Sequence, residues 1–347
     1  MPLPPYQRTR GTRDTRDTRD TSRGTSPPSA TRANNQLKQG NAGAGPHRTA
    51  LRSLTTSDGF TLVYDVTWRN ADVPNVDIPP VVLLHGWSGS RRSYDECLPH
   101  LVSRLRPGRA VIRLDYRFHG DSALSRSTAS PAPRRLPSSA CTVPRLALDF
   151  AELLEHENLR GVTAVGASMG CAVLWCYFAN HGKRVGKCVF VDQAPLQNRV
   201  PGWTLGSKGC YDDATLQRLM KTVVNDLGAV ADGNAATCLA NPIPRSVAAI
   251  LKHETKRCNP PRALALLMAD HTKRDWRPLL HFVDVPCLNV VGAKSGVFPV
   301  AGCLYVGDHV PKAVNVVFPT ASHFLYIEFP AEFGALVAQF VESRAQQ

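Results

Sequence analysis

The chain predicts an α/β fold, a mostly parallel sheet covered by helices on both faces, and three observations carry that prediction. Short continuous apolar runs recur at residues 81–84, 110–114, 162–165, 187–191, 287–291 and 313–318. Runs of this kind belong to strands buried on both faces. Helical patterns separate most of them, notably at 144–156, 169–181 and 330–341, and this alternation is how crossover helices build a parallel sheet. Finally, residues 161–175 read as a buried strand, a Gly166-Ala-Ser168-Met-Gly170 turn and a helix in direct succession.

The elements follow in order along the 347 residues. Residues 1–50 are rich in Arg, Thr, Ser, Gly and Asn, repeat Thr-Arg-Asp between 12 and 20, and have almost no large apolar side chains. Such a segment buries too little surface to offset its chain entropy, so it is expected to be disordered. Residues 59–68 alternate and are β-rich, as an edge hairpin strand should be. Residues 125–139 are rich in Ser, Pro and Arg and read as a surface loop. Residues 196–278 contain no convincing strand but helical patterns at 214–227, 245–253 and 262–271, which predicts an inserted helical cap. The resulting division is a disordered basic segment at 1–50, a core at 51–195 and 279–347, and the cap at 196–278.

The Gly-x-Ser-x-Gly turn carries chemistry. A sharp strand-to-helix turn brings backbones too close for a Cβ at either flank, which glycine permits, and it leaves Ser168 exposed on a strained turn. The helix behind it aims free N–H groups at the same point, where they stabilise developing negative charge. A chance match in a surface loop would lack the apolar strand before it and the helix after it.

Four further segments, with the elbow, resemble the α/β-hydrolase family over roughly residues 57–343, in particular Ser hydrolases with a helical cap. That resemblance implies an eight-stranded, mostly parallel sheet. Leu83-Leu-His85-Gly86-Trp87 looks like the family's His-Gly oxyanion turn, which implies that the backbone N–H groups of Trp87 and Met169 form the oxyanion hole. Asp115-Tyr-Arg117-Phe-His119-Gly120-Asp-Ser122 is similar to a structural turn of the family, so His119 braces the site rather than acting as base. Ala321-Ser-His323-Phe-Leu resembles the catalytic His segment, making His323 the proton shuttle. In Gly292-Ala-Lys-Ser295, Ser295 stands where most members carry the catalytic Asp. A hydroxyl cannot stabilise an imidazolium as a carboxylate does. Some members carry the acid one strand earlier, and Asp192, which ends the run 187–192, is the candidate there. Asp308 and Asp284 are poorer candidates, one deep in the helical stretch after the loop and the other at the wrong end of its strand.

The implied reaction is hydrolysis of a carboxylic ester through an acyl-enzyme, with Ser168, His323 and Asp192 as the triad and no cofactor or metal. Two alternatives stand beside it: a non-catalytic ligand-binding or scaffold homologue with a degraded acid position, and a lyase or perhydrolase using the same triad. Residues 173–177 and 191–195 are similar to the cofactor-free haloperoxidase branch of the family. Trp203, Tyr211 and the aliphatics of the cap favour a small, apolar acyl or ester substrate.

Composition narrows the partners. Six of the thirteen formal positive charges fall in residues 1–50, nine basic residues against three Asp, and the remainder is scattered. Without a basic stripe interleaved with aromatics, nucleic acid is not expected as a partner. No apolar run reaches the ~18 residues of a membrane span, and the first residues lack a secretory apolar core. The expected location is cytoplasmic, or organellar if residues 1–50 act as a transit peptide. The ten cysteines form no metal-ligand spacing and sit mostly in apolar stretches, so they are expected as reduced thiols, with a disulfide among Cys210, Cys238 and Cys258 left open.

Overall fold

The structure is a computed structural model that describes residues 36–39, 47–70, 72–123 and 137–343. The transit-peptide reading and most of the expected disordered segment and of the 125–139 loop therefore lie outside the described residues.

One sheet organises the chain. Its strands are β1 (Gln36–Gln39), β2 (His47–Thr55), β3 (Thr61–Arg69), β4 (Val81–Leu84), β5 (Val111–Leu114), β6 (Val162–Ala167), β7 (Val185–Val191), β8 (Cys287–Gly292) and β9 (Ala313–Phe318), in spatial order β1-β2-β3-β5-β4-β6-β7-β8-β9. From β5 to β9 every pairing is parallel, while β1, β2 and β3 add an antiparallel edge. Strands β3 to β9 are the seven read from the sequence, β2 completes the eight that the resemblance implies, and β1 extends the edge by one.

The antiparallel side departs from expectation in two places. Strand β3 is not an edge, because β2 covers it on one side and β5 on the other, and it is buried almost throughout. Residues 47–50, expected within the disordered segment, form the start of β2. Only Ala50 and Leu54 of that strand are buried, so its sequence offers two apolar anchors in nine residues and little period-2 signal.

Helices α1 (Leu98–Val102), α2 (Val143–His156), α3 (Met169–Asn180), α8 (Val300–His309), α9 (Leu325–Glu328) and α10 (Pro330–Glu342) belong to the sheet's crossovers and its C-terminal end. Between β7 and β8 lie α4 (Asp213–Asn225), α5 (Leu227–Cys238), α6 (Arg245–Arg257) and α7 (Pro261–Lys273). The expected helix at 214–227 stops early because Asp226 leaves helical geometry and its side chain caps the next helix, accepting from the Ala229 N–H at 2.9 Å. Two cores sit on opposite faces of the sheet: Phe150, Trp175, Tyr177 and Phe190 on one, Tyr94, Leu101, Tyr326 and Phe333 on the other. All ten cysteines are free and buried. Among the described residues no helix is long and apolar enough to cross a membrane.

Candidate active site

Strand register brings four separated segments to one edge of the sheet. Strand β4 lies between β5 and β6, so the chain reverses its direction of growth there, the place where open α/β sheets collect ligands outside the carboxyl ends of their strands. Leu84 pairs with Gly166, Ala167 with Val191, and Val191 with Val290. The residues that follow β4, β6 and β7, namely His85 to Trp87, Ser168 and Asp192, consequently emerge side by side with Gly292, the last residue of β8.

Ser168 has φ 53° and ψ −121° between β6 and α3, a left-handed conformation that costs a non-glycine residue on the order of 1–3 kcal/mol. Close packing enforces it. A Cβ on Gly166 would lie 2.5 Å from the Gly170 carbonyl, and one on Gly170 would lie 2.5 Å from the Leu84 carbonyl oxygen. Both glycines let α3 press against β6 and β4, which lifts Ser168 out of the strand. Its Oγ donates to Gln193 Oε1 at 3.3 Å, a partner that nothing in the sequence singled out.

The turn after β4 lies against that hydroxyl, for a Cβ on Gly86 would sit 3.1 Å from Ser168 Cβ. Met169 opens α3, so its N–H has no acceptor within the helix, and the Trp87 N–H lies in the adjoining turn. The α4–α7 region grips this turn: the Trp87 indole N–H donates to the Leu264 carbonyl at 3.0 Å, Asn234 Nδ2 to Ser88 Oγ at 2.8 Å, and Thr255 Oγ1 to the Ser88 carbonyl at 3.2 Å. Ion pairs Arg92–Glu254 and Arg257–Asp121 join α6 to the core.

Asp192 is fully buried, and its carboxylate is satisfied on both oxygens. Oδ1 accepts from the Gly292 N–H at 3.0 Å, while Oδ2 accepts from Ser295 Oγ at 2.6 Å and from His323 Nδ1 at 2.7 Å. With Nδ1–H donating, His323 keeps its lone pair on Nε2, the tautomer a proton acceptor needs. Ser295 is thus a hydrogen-bond donor to the carboxylate that ends β7. Asp308 and Asp284 are exposed, and Asp308 Oδ1 accepts from Asn315 Nδ2 at 2.9 Å.

Ser168 and His323 line one cavity of about 310 Å³, closed by residues of α4, α5 and α7 and by Val297, Phe298 and Phe324. Its volume lies at the lower end of the range for small-molecule sites.

His85 and His119 hold the adjoining turns as neutral rings. His85 Nε2 accepts from the Tyr116 N–H at 3.1 Å with Nδ1 on the Gly86 carbonyl, and His119 Nε2 accepts from the Ser88 N–H at 3.3 Å with Nδ1 on the Arg117 carbonyl. Burial pushes the pKa of His85 well below its ordinary value and that of His119 down to about 4, and His271 is pushed to about 4 in the same way. Because the unfolded rings take up protons near pH ~6.5 and the folded rings do not, these histidines stabilise the fold above that pH. Each withdraws up to ~1.4 kcal/mol per pH unit as the pH falls toward 4. Thermal melts at pH 7.5 and 5 are expected to show a lower Tm at pH 5; an equal or higher Tm would show that the rings are protonated in the native state.

The chain matches a family model described as alpha/beta hydrolase fold over residues 79–330. A pimeloyl-[acyl-carrier protein] methyl ester esterase from Chromobacterium violaceum is 24% identical over 267 residues, spanning 77% of this chain and 96% of that protein. Among solved structures, an esterase from Exiguobacterium antarcticum superposes with a TM-score of 0.72 at 20% identity, covering 84% of this chain and 99% of its own. A bromoperoxidase from Bacillus anthracis superposes at 0.67 with 22% identity, covering 89% of this chain and 100% of its own. With more than half its length matched by that model, a nucleophile-elbow turn on β6 and the strand order to go with it, the chain belongs to the alpha/beta hydrolase fold family.

Proposed function

We propose that the protein is a carboxylic ester hydrolase that works through an acyl-enzyme at Ser168. The observation that carries the reading is the His323 Nδ1–Asp192 Oδ2 hydrogen bond of 2.7 Å, made beside a strained Ser168 that faces the same cavity as His323. Ser168 Oγ turns from Gln193 to His323, gives its proton to Nε2 and attacks the ester carbonyl. The Trp87 and Met169 N–H groups receive the oxyanion. His323 returns the proton to the departing alcohol, and water repeats the sequence on the acyl-enzyme. Asp192 holds the ring and stabilises the imidazolium at each step.

Relatives named pimeloyl-[acyl-carrier protein] methyl ester esterases support a small alkyl ester of an acyl chain as the substrate class. Residues 196–278 act as the cap that shapes the acyl pocket, with no cofactor. Against the non-catalytic alternative, which rested on Ser295 in the usual acid slot, the Asp192 carboxylate bonded to His323 supports the hydrolase reading.

A fluorophosphonate probe is expected to label the native protein once, on the peptide that contains Ser168, and to abolish ester hydrolysis in step. Labelling elsewhere, or full turnover by labelled protein, would overturn the acyl-enzyme reading.

A further inference from the structure

The cavity beside Ser168 has one wall whose polar groups are left over. His271 on α7 is 2% exposed, and its Nδ1 is buried without a hydrogen-bond partner. Gln197 is 6% exposed and lines the same cavity, and among the described residues its side-chain amide forms no hydrogen bond. Ser207 Oγ accepts from the Gly209 and Cys210 N–H groups, both at 3.2 Å, which leaves its proton free to donate. These three residues share one wall, because the Ser207 N–H donates to the Gln197 carbonyl at 2.8 Å and Cys210 Sγ meets Thr272 Oγ1, next to His271, at 3.5 Å. All three line the cavity.

Leaving a buried polar group unsatisfied costs roughly 1–3 kcal/mol, and native structures hold few such groups without a reason. The rest of the lining is largely apolar, and among the described residues no Lys, Arg, Asp or Glu is part of it. A charged ligand group would be buried there without a counterion, at a cost that a neutral one avoids. The wall offers a hydroxyl donor, an amide with both donors and an acceptor, and an imidazole that remains neutral at working pH.

We propose that Gln197, Ser207 and His271 form a subsite for an uncharged hydrogen-bonding group, a hydroxyl or a carbonyl, carried by the ester outside its scissile group. The substrate is therefore a hydroxy- or oxo-ester rather than a plain alkanoate. This deepens the ester-hydrolase reading and rests on it.

The test is a panel of esters matched in length, carrying at successive positions on the acyl or the alcohol side a methylene, a hydroxyl, a ketone or a carboxylate, with rates followed in a pH-stat. At least one hydroxyl or ketone ester is expected to exceed its methylene isostere in kcat/KM by about tenfold or more, because an analogue that leaves buried polar groups unpaired is rejected. The carboxylate ester is expected to fall below both. His271→Phe should bring the preferred ratio to within about twofold of unity, while His271→Gln, which keeps a donor and an acceptor, should retain most of it. A wild-type enzyme with no preferred polar ester, or a preference that survives His271→Phe intact, overturns the subsite. Failure of the underlying reading looks different: no ester is turned over and Ser168 takes no fluorophosphonate.

Discussion

Ser168→Ala is expected to lower kcat for ester hydrolysis by about 10⁴- to 10⁶-fold, the scale seen when a triad nucleophile is removed. The fold should not notice. The substitution keeps the Cβ and the left-handed backbone that Gly166 and Gly170 impose, and the hydroxyl it deletes makes one bond of 3.3 Å to Gln193. The melting temperature should match wild type, since a surface-like deletion of this kind stays within about 0.5 kcal/mol. Steady-state kinetics on p-nitrophenyl esters, with a thermal melt on the same preparation, decides the matter. A folded Ser168→Ala protein that keeps a tenth of the rate would mean that another group or a bound water does the attacking.

Asp192→Asn is expected to cut kcat by about 10⁴-fold with KM little changed, because the interaction it weakens strengthens only as the imidazolium forms. The more telling result comes from Ser295. Its Oγ sits 2.6 Å from the same carboxylate oxygen that accepts from His323 Nδ1 at 2.7 Å, so a carboxylate at 295 comes within reach of the ring. In the Asp192→Asn background, Ser295→Asp should restore part of the lost rate. In the wild-type background it should reduce the rate, since two carboxylates forced together cannot both stay ionised. One substitution would then help in one context and harm in the other. Equal effects in both backgrounds would show that Ser295 and Asp192 do not share His323. Asp308→Asn and Asp284→Asn, at exposed positions, are controls expected to be near wild type.

Most of the parallel sheet was legible because strands buried on both faces write continuous apolar runs, and the elbow was legible because its strand, turn and helix adjoin in sequence. Ser168 and His323 could be named for the same reason, each marked by a local motif. A carboxylate partner for His323 needed a choice between strands, and the structure brings Asp192 rather than Asp308 to that ring. What stayed hidden is non-local or apolar-poor. The Ser295–Asp192 hydrogen bond spans residues 103 apart, Gln193 acquires meaning only beside Ser168, and Gln197 and His271 only once the cavity exists. Helix α5 (Leu-Gly-Ala-Val-Ala-Asp-Gly-Asn-Ala-Ala-Thr-Cys) carries two glycines and no apolar stripe, so its helical state is imposed by the Asp226 cap and by packing rather than by propensity. Strand β2 is held by backbone pairing to β3 along its whole length, which composition cannot reveal.

The grip of α5 and α6 on the turn after β4 constrains how this protein can acquire new substrates. Asn234 and Thr255 stand on helices that line or border the cavity, yet both hold Ser88, one residue from the amide assigned to the oxyanion. Changes at Asn234 and Thr255 are therefore expected to alter selectivity and turnover together, so that a lineage or a laboratory library that explores them loses rate with each new preference. Helix α7 is anchored differently: its tie to the turn runs from the Trp87 indole to the Leu264 backbone carbonyl, which any residue at 264 provides. Helices α4 and α7 are where substrate range can drift while the chemistry stays fixed, and variation introduced there should yield more active sequences than the same number of changes on α5 and α6.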